Sequence, residues 1–391
     1  MIMKKYLKVL LLPTIFGLFI SGCQHSELQA TGQTIDFKNN DLGAQGRLAK
    51  QTRPKNIILM IGDGMGLSQI SATMQAHREP LNIESAPVIG LSRTLNSQGG
   101  ITDSAAAATA FSIGVKTFNG AIGVDANGLS QPTILEQFAE RGLATGLIAT
   151  SEITHATPAS FYAHVPDRQN ANAIAEALAK SEVDLFIGGG EDYFDKRDDE
   201  TKGIPDDRNL LIEMQKKGVE LVDDLKQLEQ ASGRVGMFIA DRHPKSIQGG
   251  RGDILADSIL PVAQFLQRQS DMGFFLVVEG AQIDWGGHAN DFDYVSSELL
   301  DFDRALGQAL GFAANNNDTL IVVTADHETG GLTMVSKDYN DQEAKPEPVF
   351  STAGHTAIMV PVFSFGIGAE QFSGVYQNTE IYHKLLNAIA P

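Results

Sequence analysis

Short apolar runs alternate with helical patterns along most of this 391-residue chain. The runs are nearly continuous in Val, Ile and Leu, as expected of strands that are buried on both faces of a parallel sheet. We therefore predict an α/β fold, in which a central, mostly parallel sheet carries helices on both of its faces. The candidate strands are residues 56–61, 144–149, 183–187, 236–239, 274–278, 320–324 and 360–365. The candidate helices are residues 67–77, 105–113, 133–141, 171–180, 208–217, 254–267, 294–314 and 379–389.

Two stretches interrupt this alternation. Residues 192–208 are dense in charge, and residues 336–348 carry charge and two prolines. We predict that both are surface loops. No internal repeats are visible, and we predict one domain in which residues 180–250 decorate the sheet.

The N-terminus has the pattern of an export signal. Three lysines precede an apolar run over residues 9–20, which is too short for a comfortable membrane span. Small residues and then Cys23 follow, as in a bacterial lipobox. We predict that residues 1–22 are a lipoprotein-type signal peptide and that Cys23 carries a lipid anchor. The alternative is an ordinary signal peptide with a chance cysteine.

Residues 23–53 are polar, and we predict a flexible tether between the anchor and one folded domain at residues 54–391. The protein would then be exported as a periplasmic or cell-envelope lipoprotein, anchored in the outer membrane. Cys23 is the single cysteine of the chain, so the folded domain has no disulfides and its stability must come from packing and metals.

The chain is acidic, with a formal net charge of −18. This balance argues against a nucleic acid polymer as ligand, because such proteins present a basic surface. It also means that an anionic substrate needs local positive charge, from metal ions or from arginine.

One segment carries a dense group of candidate metal ligands. The predicted strand 274–278 ends on Glu279, and Asp284 and His288 follow it. Two residues four apart can share one face of a helical turn, and a carboxylate with an imidazole suits zinc. The alternative is the start of a helix that is rich in capping residues.

Other strand ends carry similar side chains. Asp63 follows the first predicted strand in a glycine-rich turn whose spacing is not GxGxxG, which favours a metal ligand over a dinucleotide site. Asp326 and His327 follow another predicted strand, and His355 lies beside a glycine just before the last one. His164 has the apolar surroundings typical of a structural histidine. The histidines with no partner pattern are His25, His77, His243 and His383.

Ser104 is the candidate nucleophile. It lies at the start of an alanine-rich helix, where the field of the helix N-terminus favours anionic ligands. The alternative is a capping serine, which is the more usual role. The sequence has no G-x-S-x-G motif and no local base, so a nucleophilic Ser104 would need a metal to lower its pKa.

Four motifs, taken in order, resemble the alkaline phosphatase family. They are Met-Ile-Gly-Asp ending at Asp63, Thr-Asp-Ser-Ala around Ser104, Val-Glu-Gly-Ala-Gln-Ile-Asp ending at Asp284, and Thr-Ala-Asp-His ending at His327. The resemblance extends to residues 114–125 and 157–165 and spans about residues 56–389. It implies a three-layer sandwich of the alkaline phosphatase type at residues 54–391. It also implies a phosphomonoesterase that hydrolyses small phosphate monoesters at alkaline pH, acting as a homodimer.

The resemblance further implies two zinc ions and a third metal, which is usually magnesium. The ligands implied for the first zinc are Asp284, His288 and His355. The ligands implied for the second zinc are Asp63, Asp326 and His327. The ligands implied for the third metal are Asp63, Thr157 and Glu279, with His155 beside them.

The same resemblance gives roles to the remaining site residues. Ser104 would attack phosphorus and form a phosphoserine, and hydrolysis would then release inorganic phosphate. Arg168 would bind the phosphate, because its planar fork can donate to two oxygens at once. Asp103 would steady that arginine.

Two positions depart from a well-known bacterial pattern of the family. His155 stands where some members carry Asp, and Trp285, the single tryptophan, stands where they carry Lys. We place Trp285 in the substrate-binding site and predict weaker phosphate retention, since the positive charge of the lysine is absent. The alternative is a packing residue at the rim. The identity and affinity of the third metal stay open.

Three other functions are weighed against this interpretation. A sulfatase needs a modifiable Cys or Ser followed by Pro and Arg, whereas Ser104 precedes Ala-Ala-Ala-Ala-Thr. A related phosphodiesterase is expected to lack the third metal site and the arginine, whereas Thr157, Glu279 and Arg168 are present. A lipid-anchored binding protein without turnover has no use for Ser104 as a nucleophile.

Overall fold

The structure is a computed structural model, which describes residues 53–198, 200–336 and 346–389. The predicted signal peptide, Cys23 and nearly all of the predicted tether lie outside the described residues. Within the described part of the chain, no helix is both long and apolar enough to cross a membrane.

The described residues form strands and helices in alternation. The strands are β1 (Asn56–Gly62), β2 (Val88–Arg93), β3 (Ala144–Glu152), β4 (Leu185–Gly189), β5 (Val219–Val222), β6 (Arg234–Phe238), β7 (Phe274–Gly280), β8 (Thr319–Thr324), β9 (Glu328–Thr329), β10 (Leu332–Val335), β11 (Glu347–Phe350), β12 (His355–Thr356), β13 (Val360–Gly366) and β14 (Gly374–Gln377). The helices are α1 (Leu67–Ala76), α2 (Ser104–Ile113), α3 (Ile134–Glu140), α4 (Ala156–Ala159), α5 (Ala171–Lys180), α6 (Asp192–Asp195), α7 (Leu210–Lys216), α8 (Ile254–Gln269), α9 (Gln282–Ala289), α10 (Phe292–Asn315) and α11 (Thr379–Ile389).

Ten of these strands form one sheet, in the order β14-β2-β13-β8-β1-β7-β3-β4-β6-β5. Strand β13 runs antiparallel to its neighbours β2 and β8, and every other pair in this sheet is parallel. Two small antiparallel pairs, β10–β11 and β9–β12, lie outside it. The prediction of an α/β fold with a mostly parallel central sheet is confirmed.

The central strands are apolar throughout because each belongs to two cores at once. In β1, Ile57 and Leu59 join the core that contains helices α2, α3, α5, α7 and α11. The intervening Ile58 and Met60 join the core that contains α1, α8 and α10. Successive side chains of a strand point to opposite faces, so burial on both faces removes the polar half of the alternation.

All seven predicted strands and all eight predicted helices are present, with bounds that differ by a few residues. Residues 180–250 were predicted to decorate the sheet, and this was too modest. They supply β4, β5 and β6, which extend the sheet at one edge.

The first of the two predicted surface loops is partly ordered around a buried arginine. Residues 192–208 contain α6, and the side chain of Arg197 is only 3% exposed. Its guanidinium donates two hydrogen bonds to the carboxylate of Asp206, which explains why so charged a stretch can pack inward. Of the second predicted loop, residues 337–345 lie outside the described residues, and β11 begins at Glu347.

Candidate functional site

The predicted site residues gather at the carboxyl ends of four neighbouring strands. Strands β8, β1, β7 and β3 lie side by side in the sheet. Ile61 pairs with Thr324 of β8 and with Glu279 of β7. Asp63 and Asp326 therefore stand level, each two residues beyond a paired position. Parallel strands end at one edge of the sheet, where ligands of open α/β folds bind.

The first cluster unites Asp284, His288 and His355. Asp284 and His288 lie one turn apart on α9, and His355 begins β12. One Asp284 oxygen lies 3.2 Å from His288 Nε2, and the other lies 3.5 Å from His355 Nε2. The hydrogen bond from His288 to Asp284 raises the pKa of His288 to about 9.

Backbone carbonyls fix the two imidazoles of this cluster. His288 Nδ1 lies 2.6 Å from the carbonyl oxygen of Ala353, and His355 Nδ1 lies 2.9 Å from that of Thr102. A carbonyl only accepts, so each Nδ1 carries a proton. A metal would displace any proton on Nε2 and bind the lone pair of that nitrogen. The two Nε2 atoms lie 3.2 Å apart, which is the arrangement of a metal ligand pair.

The second cluster unites Asp63, Asp326 and His327, and all three are fully buried. His327 Nε2 lies 3.5 Å from Asp63 Oδ1 and 3.1 Å from Asp326 Oδ2. The other oxygen of Asp326 accepts hydrogen bonds from the backbone N–H of Gly64 and of His327. Burial, and then the neighbouring carboxylates, raise the pKa of Asp63 well above its usual range.

The third cluster unites Asp63, Glu279 and His155, with Thr157 beside them in α4. Glu279 is the next-to-last residue of β7, and Ser151 donates a hydrogen bond of 2.9 Å to one of the Glu279 oxygens. Burial raises the pKa of Glu279 to about 7.

The chemistry of these buried atoms fits metal ions. A buried polar atom without a partner is costly, and several such atoms face this edge of the sheet. Among the described residues, the buried side-chain atoms of the site without a hydrogen-bond partner are both carboxylate oxygens of Asp63, Oδ2 of Asp326, Oε1 of Glu279, Oγ1 of Thr157 and Nδ1 of His155. Cations bound to these oxygens would satisfy acceptors that the protein leaves unpaired.

Ser104 lies against the second cluster. It is the first residue of α2 and is only 3% exposed, and its Oγ lies 3.3 Å from His327 Nε2. The alternative of a capping serine does not hold, because Asp103 is the cap and accepts a hydrogen bond from the N–H of Ala106. The serine hydroxyl is therefore left for chemistry.

Arg168 is held from two sides. One of its nitrogens donates to Asp103 Oδ2 at 3.1 Å, and another lies 3.1 Å from His155 Nε2. Arginine can only donate, so His155 Nε2 accepts and the proton of the neutral ring lies on Nδ1. Burial and the nearby guanidinium lower the pKa of His155 to about 3, which keeps the ring neutral. His155 therefore uses Nε2, the nitrogen that could otherwise bind a metal, to orient Arg168.

Trp285 is half-buried at the rim and stands in a group of rings. Its ring lies 4.8 Å from that of His243 and 6.3 Å from that of His155. The sequence analysis found no partner for His243, because it comes from a segment beyond β6 that only the fold brings here. The N–H of Glu152 donates to His243 Nδ1 at 3.3 Å and fixes this ring beside Trp285.

Two further residues were missed for the same reason. Ser151 holds Glu279, and the hydroxyl of Thr329 contacts both Asp284 and His327. Glu279 is remote from Ser151 in the sequence and Asp284 is remote from Thr329, and neither Ser nor Thr is a conspicuous metal ligand. By contrast, His164 makes the structural contacts expected of it, 3.0 Å from Glu136 and 2.8 Å from the carbonyl oxygen of Gly123.

Comparisons with known proteins place this chain in a family. Residues 54–347 match the family described as alkaline phosphatase. Alkaline phosphatase 3 of Bacillus subtilis is 35% identical and aligns over 87% of this chain and 90% of its own length. The alkaline phosphatase of Escherichia coli is 32% identical, over 86% of both chains.

Solved structures agree with these relatives. The alkaline phosphatase of the Antarctic bacterium TAB5 superposes with a TM-score of 0.81 at 42% identity, over 86% of this chain and 98% of that one. A histidine-to-aspartate mutant of that enzyme, with a TM-score of 0.80, has Mg bound in its M3 site. These matches agree with the mostly parallel central sheet of this chain.

Proposed function

This chain belongs to the alkaline phosphatase family and is a metal-binding phosphomonoesterase, and we propose that it forms a phosphoserine on Ser104 with two zinc ions and a third metal. The observation that carries the proposal is the contact between Ser104 and a cluster of buried carboxylates and imidazoles whose atoms are left unpaired. The reaction is the hydrolysis of small phosphate monoesters at alkaline pH, with release of inorganic phosphate.

The metals are assigned to the three clusters. Asp284, His288 and His355 would hold the first zinc, and Asp63, Asp326 and His327 would hold the second. Glu279, Thr157 and Asp63 would hold the third metal, which we propose to be magnesium, as in the M3 site of the Antarctic relative. When bound, zinc stabilises negative charge on oxygen and favours the alkoxide of a nearby hydroxyl at near-neutral pH.

The protein residues then act on the phosphoryl group. Ser104 loses its hydroxyl proton to solvent and attacks phosphorus in line as the P–O bond to the alcohol breaks, and the alcohol leaves with a proton from water. Water then hydrolyses the phosphoserine, which restores Ser104 and releases phosphate. The N-terminus of α2 favours the negative charge of the phosphate. No histidine is needed as a base, because the nearest ring, His327, belongs to the second cluster. Arg168 donates to two phosphate oxygens and orients the phosphate for attack.

Asp103 and His155 restrict the freedom of Arg168. With both contacts in place, the guanidinium pays little conformational entropy when phosphate binds. Trp285 and His243 form the rim on the side of His155, where other members of the family carry a lysine. We propose that this rim binds phosphate more weakly than a lysine would.

The test is the hydrolysis of p-nitrophenyl phosphate by purified protein. Activity should disappear with a chelator and return with zinc, and Ser104→Ala should abolish the formation of a phosphoenzyme. Ser112→Ala, in the same helix and equally buried, is the matched control and should stay active. Chelator-insensitive activity, or full activity of Ser104→Ala, would contradict the proposal. Faster cleavage of bis(p-nitrophenyl) phosphate would favour a phosphodiesterase instead.

We also propose that the protein is exported, with a lipid on Cys23, and that it forms a homodimer. Radiolabelled palmitate should enter the wild-type protein but not Cys23→Ser, and sedimentation should give twice the mass of the chain. Absence of label in the wild type would favour an ordinary signal peptide, and a monomer would contradict the dimer.

A further inference from the structure

We infer that Thr329 is a positioning residue, whose single hydroxyl couples the ligands of the two zinc sites. The inference rests on the proposed function, because it presupposes that zinc binds to both clusters. Thr329 is not assigned as a metal ligand, but it contacts one ligand of the first cluster and one ligand of the second.

The hydroxyl of Thr329 is buried and contacts two of the assigned metal ligands. Thr329 ends β9 and is fully buried. Its Oγ1 lies 2.5 Å from Asp284 Oδ1, a ligand assigned to the first zinc. The same atom lies 3.1 Å from His327 Nδ1, a ligand assigned to the second zinc.

A count of protons sets the direction of both hydrogen bonds. A threonine hydroxyl has one proton to donate. Thr329 Oγ1 donates to Asp284 Oδ1, and a carboxylate that serves as a metal ligand is ionised. An ionised carboxylate only accepts, so the hydroxyl proton lies on the side of Asp284. Thr329 must then accept from His327, whose Nδ1 carries the proton.

This assignment fixes the tautomer of His327. With the proton on Nδ1, the lone pair of the neutral ring lies on Nε2, which faces Ser104 Oγ at 3.3 Å and Asp326 Oδ2 at 3.1 Å. That is the nitrogen with which His327 would bind zinc. The opposite tautomer would place a proton where the metal must lie.

The backbone around Thr329 keeps the hydroxyl in place. Its N–H donates to the carbonyl oxygen of Gly64 at 3.3 Å, and its own carbonyl accepts from Gln69 Nε2 at 2.7 Å. A Cβ at Gly64 would lie 2.8 Å from Thr329 Oγ1, and a Cβ at Gly287 would lie 3.0 Å from Thr329 Cβ. Two glycines thus leave room for this side chain and little room for it to turn.

The consequence is thermodynamic coupling between the sites. One hydroxyl sets the tautomer of a ligand in one cluster and restrains a carboxylate oxygen in the other. Outer residues of this kind typically contribute about 10- to 100-fold to metal affinity. Removal of the hydroxyl should therefore weaken both zinc sites, although Thr329 binds neither ion.

The experiment compares three variants of the full chain with the wild type. Thr329→Val removes the hydroxyl at nearly constant shape, and Thr329→Ser keeps it. Thr73→Val is the control, since Thr73 is also fully buried and its hydroxyl has no hydrogen-bond partner among the described residues. Each metal-free protein is titrated with zinc against a competing chromophoric chelator, and its thermal unfolding is recorded without metal.

We expect Thr329→Val to weaken both zinc affinities by about 10-fold or more, with little change in the other two variants. The metal-free unfolding temperature should be similar for Thr329→Val and Thr73→Val, which excludes a merely structural effect. Loss of affinity at one site alone, or at neither, would overturn the inference while leaving the proposed function intact. A wild type that binds fewer than two zinc ions would instead contradict the proposed function, and the inference with it.

Discussion

The two carboxylate oxygens of Asp103 have separate tasks, and Asp103→Ala removes both. Oδ1 caps α2 by accepting from the N–H of Ala106 at 2.9 Å. Oδ2 accepts from the N–H of Gly120 at 3.0 Å and from Arg168 at 3.1 Å. The first task concerns the stability of the helix that carries Ser104, and the second concerns the orientation of the phosphate-binding arginine.

Each loss has a magnitude. Removal of an N-cap costs about 1 kcal/mol of stability. The charge-assisted hydrogen bond to Arg168 contributes about 1.5 kcal/mol, and both side chains are only 20% exposed, so solvent screens little of it. If that energy holds the guanidinium in its binding orientation, the population of this orientation falls about tenfold. The inhibition constant of inorganic phosphate should rise by a similar factor.

The assay measures both quantities in two variants. Phosphate inhibition of p-nitrophenyl phosphate hydrolysis reports on Arg168, and urea unfolding reports on stability. Asn209→Ala is the matched control, because Asn209 caps α7 in the same way, by accepting from the N–H of Ile212 at 2.9 Å. Both variants should lose about 1 kcal/mol of stability, and only Asp103→Ala should bind phosphate more weakly. An unchanged inhibition constant in Asp103→Ala would refute the reasoning.

Three further outcomes are expected. Trp285→Lys should lower the inhibition constant of phosphate, because it adds a positive charge beside the ring of His155. An unchanged constant would contradict the proposal that this rim binds phosphate more weakly than a lysine would. The hydrogen bond to Glu136 raises the pKa of His164 above 6.5, so its stabilisation is full below that pH and disappears as the pH rises through the raised value. His164→Gln should therefore lose stability in urea unfolding mainly below pH 6.5, and an equal loss in alkali would contradict the linkage. Arg251→Met removes the ion pairs of Arg251 with the buried carboxylates of Glu298 and Asp301, while Arg304 still contacts Asp301, and should cost about 3 kcal/mol in the same assay; a loss under 1 kcal/mol, roughly that of a surface pair, would count against it.

The strands of the sheet were predictable because the apolar pattern that marks each strand lies within a few consecutive residues. Continuous apolar strands mark burial on both faces, and Asp63, Glu279 and Asp326 lie at or just after the ends of such strands. Helix α9 shows the limit. It contains Gly286 and Gly287, which disfavour a helix, and it was not among the predicted helices although its Asp284 and His288 were identified.

The packing explains both glycines. A Cβ at Gly286 would lie 2.6 Å from the backbone nitrogen of Val295, and one at Gly287 would lie 2.9 Å from the carbonyl oxygen of Thr329. Tertiary contact therefore overrides propensity at these positions, and no single-sequence pattern reveals it. His243 was missed for a related reason, since the fold alone brings it to Glu152 and Trp285. The fold also brings Thr329 to Asp284.

The level positions of Asp63 and Asp326 show that the sheet sets the spacing of these two carboxylates. Adjacent strands lie about 4.8 Å apart, and the pairing of Ile61 with Thr324 and with Glu279 fixes where each carboxylate begins. The spacing of Asp63, Glu279 and Asp326 is thus set by the backbone hydrogen bonds of the sheet. The sheet does not set the positions of three other site residues, which lie on segments beyond the strands: Arg168, His243 and Trp285. Substitutions there can therefore change phosphate affinity without moving the carboxylates at the strand ends.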